Sequence, residues 1–126
     1  MPHAKPAARC ATRDPIVIDL SAARDARRLR EFQARCRTVD DLNRKALARL
    51  FQSGLLYTRQ GARLGRDLLL AHQHLLRVSD LLARIGDLAG PAAARDAEPL
   101  YDEARELLAR TTKLTSRTGL VFARGQ

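Results

Sequence analysis

The chain has 126 residues, enough for one hydrophobic core and too few for two independent ones. Leu and Ala dominate the apolar content, Trp is absent and β-branching is sparse, so composition favours helix over strand. The formal charge of +9 is lopsided: residues 1–66 hold 15 Lys/Arg against 6 Asp/Glu, and residues 67–126 hold 8 of each. This excludes an acidic or evenly charged surface and leaves an N-terminal half that is either a solvated basic face or the partner of an anion.

Residues 1–15, with Pro2, Pro6 and Pro15 among Ala, Arg and Thr, read as a disordered basic tail. The tail lacks the apolar run of a signal peptide, which makes the expected compartment cytoplasmic. Ile16-Val17-Ile18 is β-prone with no partner strand elsewhere, so it is expected as an extended lead-in packed on a bundle. Ser21 is a good N-cap for a first helix over about residues 21–37, with Ala22, Ala26, Leu29, Phe32, Cys36 and Val39 at three- and four-residue spacing. Thr38-Val39-Asp40-Asp41 has the form of a capping box and predicts a second helix start, although one continuous or kinked helix also fits.

From there a heptad pattern runs to residue 89. One line is Leu47, Gly54, Gly61, Leu68, Leu75, Leu82 and Ala89, and its partner is Asn43, Leu50, Tyr57, Leu64, Ala71, Val78 and Ile85. A helix over about residues 40–89 would be about 75 Å long. Gly54, Gly61 and Gly65 each cost up to about 1 kcal/mol inside it, which suggests close helix approach or a bend near Ser53-Gly54. Gly90-Pro91 ends the pattern, and a last helix over about residues 97–122 carries Leu100, Ala104, Leu107, Thr111, Leu114, Thr118 and Val121 on one line. The expected architecture is all-α: residues 16–126 as a single domain, an elongated antiparallel bundle or coiled-coil hairpin with one long central helix. The first and last helices would fold back on its two halves in a layer about two helices thick, and oligomerisation would cover the remainder.

The apolar sector of the central helix is wide. Beside the two heptad lines lies a third, Ala48, Leu55, Ala62, Leu69, Leu76 and Ala83, with the mostly small line Phe51, Thr58, Gly65, His72, Ser79 and Gly86 between, while Lys45, Gln52, Arg59, Arg66, Gln73, Asp80 and Asp87 occupy the opposite side. A sector of roughly 200° exceeds what one antiparallel helix covers. Leu55, Leu69 and Leu76, with Leu68, Leu75 and Leu82, are therefore the candidate contacts to a partner helix or an apolar surface. The candidate basic patch is Arg24, Arg27, Arg28 and Arg35, continued by Arg44, Lys45 and Arg49. Its three- to four-residue spacing could follow phosphates, but no helix-turn-helix, zinc-finger or RNP signature accompanies it, so any nucleic-acid binding would be non-specific and salt-sensitive.

Little points to catalysis. His72 and His74 are two residues apart and diverge around a helix, which prevents joint chelation. Cys10 and Cys36 form neither a CxxC pair nor a disulfide framework, and Asp40 and Asp41 suit a first helical turn better than acid–base work. No nucleotide-binding or nucleophile-elbow motif occurs. No cofactor, metal or enzymatic activity is expected. The longest uncharged stretch, Leu68 to Leu76, is about half of what a membrane span needs.

Two segments carry a resemblance. Asn43-Arg44-Lys45-Ala46-Leu47, followed by a Leu/Ala-rich helix through Arg59-Gln60, is similar to the start of the long helix of the phasin family. The stretch from Tyr101 to Lys113, with its Ala-Arg-Glu-Leu core, resembles that family's C-terminal helix. Over about residues 40–124 the resemblance implies a helical, often oligomeric protein that coats cytoplasmic polyhydroxyalkanoate granules without catalysis, some members also associating with DNA. The leading expectation is therefore a non-catalytic amphipathic coat. The alternatives are a helical scaffold or adaptor in a homo- or hetero-oligomer, and a basic nucleoid-associated or RNA-binding protein.

Overall fold

The computed structural model describes the backbone of residues 4–124 and the side chains of residues 20–119. Three helices and one 3-10 turn make up the described chain: α1 (Ala4–Ser53), the turn Leu55–Tyr57, α2 (Arg59–Asp87) and α3 (Ala93–Arg124). The all-α class is as expected, and the helix boundaries differ in four places.

The long helix is α1. Thr38-Asp41 does not restart it, because Thr38 Oγ1 donates to the carbonyl of Ala34 at 3.1 Å and Asp40 takes the guanidinium of Arg44 one turn on at 2.9 Å. Both residues act as helix-interior side chains, and Leu29, Phe32, Cys36, Val39, Asn43, Ala46 and Leu50 form one unbroken inward line. The backbone is helical from Ala4, where a disordered tail, an extended Ile16-Val17-Ile18 and a start at Ser21 were expected. Pro6 falls in the first turn, where its missing N–H is not needed, and Ala and Arg supply helix propensity around it. The side chain of Cys10 lies outside the described residues.

The expected central helix over residues 40–89 is broken by an elbow at 54–58. Gly54 adopts the left-handed conformation (φ 73°), which terminates α1. Ser53 Oγ donates to the Leu50 carbonyl at 3.0 Å and accepts from the Leu55 N–H at 3.3 Å. Thr58 caps α2, its hydroxyl accepting from Gly61 N–H at 3.0 Å and donating to the Leu55 carbonyl at 2.6 Å. Gly61 permits this close approach, since a Cβ there would lie 1.5 Å from the Leu55 carbonyl oxygen and force the backbone to shift. Thus α2 runs back along α1, and the layer two helices thick becomes a three-helix bundle in which α1, α2 and α3 all touch one another.

The second turn uses Gly90 at φ 94°. α3 starts at Ala93, earlier than the expected residue 97, and carries Pro99 inside it. Pro99 is exposed, so the hydrogen bond it removes faces water. Val121 and Phe122, expected on the inward line of α3, have side chains outside the described residues.

The core has two apolar parts. The larger gathers Phe32, Cys36, Leu75, Val78, Leu81, Leu82, Ile85, Ala97, Tyr101, Ala104 and Leu108, and the smaller gathers Ala46, Leu50, Leu64 and Leu68 beside the elbow. A polar belt joins them. Asn43, buried on α1, donates from Nδ2 to the Leu68 carbonyl of α2 at 3.2 Å and accepts the Thr115 hydroxyl of α3 at 3.2 Å. Thr111 and Thr118 continue the buried line of α3, each satisfied by the carbonyl one turn back.

Candidate interaction surface

The six leucines expected to meet a partner divide cleanly. Leu68, Leu75 and Leu82 are core residues, buried between the helices, and are unavailable to any surface. Leu69 and Leu76 are each 58% exposed, and Leu55 is half-buried in the elbow. The bundle thus covers the two heptad lines through Leu68 and Leu64 and leaves open the neighbouring line Ala62, Leu69, Leu76 and Ala83. Between this line and α1 runs an open groove of about 460 Å³, lined by Gln33, Cys36, Arg37, Asp40, Arg44, His72, Leu75, Leu76, Ser79, Leu82 and Ala83.

A second apolar feature was not anticipated. At the elbow Phe51 is 64% exposed and Tyr57 is 91% exposed, with Leu55 and Leu56 half-buried between them. Leu56 is anchored from below, because Gly65 leaves room for its methyl group and for Leu50. Arg59 and Arg63, both exposed, open α2 just beyond it. The elbow is therefore a hydrogen-bonded tip that displays two aromatics beside basic side chains. Tyr57 sat on a predicted core line, which concealed it; the Ser53-Gly54 pair was the signal that could have exposed it.

The basic patch is partly used inside the molecule. Arg28 reaches α3, where its two terminal nitrogens bond Glu98 at 2.5 and 3.4 Å and its guanidinium sits 4.0 Å over the Tyr101 ring. Tyr101 in turn packs against Phe32 at 5.9 Å, and Arg35 lies 5.5 Å over the Phe32 ring. The hydrogen bond from Arg28 holds the Glu98 carboxyl below its ordinary range, and the same bond raises Arg28. Burial pushes the Tyr101 hydroxyl up, against the opposing effect of Arg28. Arg44 pairs with Asp40. Arg24, Arg27, Lys45 and Arg49 are exposed on α1.

Cys36 is buried, and desolvation raises its thiol, the reverse of what a nucleophilic thiolate needs. His72 is half-buried at the groove, and His74, also half-buried, has a shielded Nδ1 without a hydrogen-bond partner. Among the described residues no three His, Cys, Asp or Glu side chains cluster as a metal site, and no helix is long and apolar enough to cross a membrane.

No family model, no curated protein and no solved structure matches the chain.

Proposed function

We propose that the protein is a non-catalytic, phasin-like surface coat, which adsorbs on an apolar cytoplasmic surface such as a polyhydroxyalkanoate granule by its α1–α2 elbow. The observation that carries this reading is the exposure of Phe51 and Tyr57 on a turn held by hydrogen bonds from the N–H groups of Gly54, Tyr57 and Thr58 to the carbonyls of Phe51, Gly54 and Leu55. The bundle's own core does not use these two open aromatics, whereas an apolar–water boundary accommodates their apolar bodies and leaves the Tyr hydroxyl wet. Arg59 and Arg63 beside them suit the anionic groups of such a boundary. Burial of an aromatic or leucine side chain contributes about 1.5–3 kcal/mol, so a few suffice for reversible adsorption.

The nucleic-acid reading is less well supported, because Arg28 and Arg44 spend their charge on Glu98 and Asp40 within the chain. The experiment is localisation of a fluorescently tagged copy in polymer-filled cells. It should ring the granules, and the variant Phe51→Asp/Tyr57→Asp should be diffuse. A diffuse wild type, or a variant that still rings the granules, contradicts the proposal.

A further inference from the structure

The outer face of α2 carries two adjacent heptad lines, both exposed along their whole length. One is apolar: Ala62, Leu69, Leu76, Ala83. The other is charged: Arg59, Arg66, Gln73, Asp80, Asp87. Turning α2 end for end about the midpoint between His72 and Gln73 pairs Ala62 with Ala83 and Leu69 with Leu76. Turning it about Gln73 pairs Arg59 with Asp87 and Arg66 with Asp80. The apolar line is thus symmetric and the charged line antisymmetric about centres half a residue apart, an axial offset of about 0.75 Å that long Arg side chains span.

A second observation concerns the helix dipole. Arg59 is the first residue of α2 and Asp87 the last. Positive charge at a helix N-terminus and negative charge at its C-terminus both oppose the macrodipole. Neither Arg59, Arg66 nor Asp87 makes an ion pair with any described residue, and Asp80 is held only by exposed contacts to Arg77 at 3.3 Å and Arg84 at 3.6 Å. Arg84 in the last turn already offsets Asp87 at the C-terminus, so the unfavourable end of the isolated helix is its N-terminus, where Arg59 stands with no acidic residue in the first turn.

We infer that this face is a homodimer seam on which a second copy of the chain lies antiparallel, α2 against α2. The four half-exposed leucines, Leu69 and Leu76 of each copy, form its apolar centre, and the alanines at either end let the helices approach. Arg59 and Arg66 of each copy face Asp87 and Asp80 of the other. Each α2 N-terminus then receives a carboxylate, which offsets its dipole conflict. A parallel copy would place Arg on Arg and Asp on Asp, so the charges select the antiparallel orientation. The inference goes beyond the coating reading and, though both use Arg59, does not involve Phe51 or Tyr57, the residues that carry that reading.

The test is the mass of the purified full chain by sedimentation equilibrium, with no granule or polymer present. The expected mass is twice the 14.0 kDa of one chain. Arg66→Asp, which turns two attractive pairs per dimer into repulsive ones, should weaken association by about tenfold. The double variant Arg66→Asp/Asp80→Arg should restore it, and Leu69→Asp/Leu76→Asp should give a monomer. All four substituted side chains are exposed, so circular dichroism should show unchanged helix content. A wild type that stays at one chain mass overturns the inference. So does association that Arg66→Asp leaves unmoved, or that the double variant fails to recover. Granule localisation does not enter this measurement, and failure of either proposal is visible without the other.

Discussion

Asn43 and Thr115, 72 positions apart in the chain, meet in the buried centre of the bundle with Oδ1 and Oγ1 at 3.2 Å. Because the Asn43 amide also donates to the Leu68 carbonyl, one side chain fixes the level of three helices at once. Apolar faces slide past one another at little cost, but a buried polar group left without a partner costs about 1–3 kcal/mol. Asn43→Ala should destabilise the protein by about that amount in urea unfolding. Asn43→Leu/Thr115→Val removes both polar partners and should be much less costly. If the single substitution is neutral, the junction does not set the register.

The elbow makes a sharper contrast among glycines. Gly61→Ala drives a Cβ into the Leu55 backbone and should cost about 1–3 kcal/mol, because no flexible side chain is available to yield. Gly86→Ala meets only a methyl of Leu29 at 3.7 Å, an ordinary contact, and should stabilise α2 by up to about 1 kcal/mol. Thermal unfolding of the two variants should move in opposite directions.

The three-helix arrangement was only partly legible in the sequence, and Tyr57 shows why. Asn43, Leu50, Leu64, Ala71, Val78 and Ile85 are core or core-facing residues on a line that Tyr57 shares, yet Tyr57 is the most exposed large apolar residue described. The elbow occupies residues 54–58 and returns the chain to the same core in nearly the same heptad phase, so periodicity alone passed through a reversal without a break. Only Gly54, which adopts positive φ, and Thr58, which caps the next helix, carried local information about it. The Thr38–Asp41 capping pattern misled in the opposite sense, since an unbroken inward line from Leu29 to Leu50 outweighs it. The open line through Leu69 and Leu76 was readable, because it depends only on face geometry within α2. The ion pair and aromatic stack of Arg28 were not readable, because they depend on which residues α3 brings opposite α1.

The Arg28–Glu98 pair predicts a pH signature. Glu98 is lowered in the folded state by its bond from Arg28, so its contribution to stability is present above the ordinary glutamate value of about 4.3 and disappears as pH falls through the lowered folded value. Wild type should exceed Glu98→Gln in stability at neutral pH, and the two should converge in acid. A difference that persists unchanged in strong acid would mean that the carboxylate charge is not its source.

Cys36 should be protected in the native state. Burial restricts access to its sulfur and raises its thiol, so alkylation by iodoacetamide at neutral pH should be slow until the bundle is unfolded in denaturant. Peptide-resolved mass spectrometry measures this directly, and rapid native labelling at Cys36 would show that the reagent reaches the sulfur through the groove or by an opening of α1 from α2.

The claim that the Phe51–Tyr57 elbow is an adsorbing tip is tested most directly by co-sedimentation of the purified protein with polyhydroxyalkanoate particles. Wild type should pellet with the particles. Phe51→Asp/Tyr57→Asp, with unchanged helix content, should remain in the supernatant, while Leu69→Asp/Leu76→Asp should still pellet. Equal pelleting of wild type and the elbow variant, or no pelleting of either, would contradict the account.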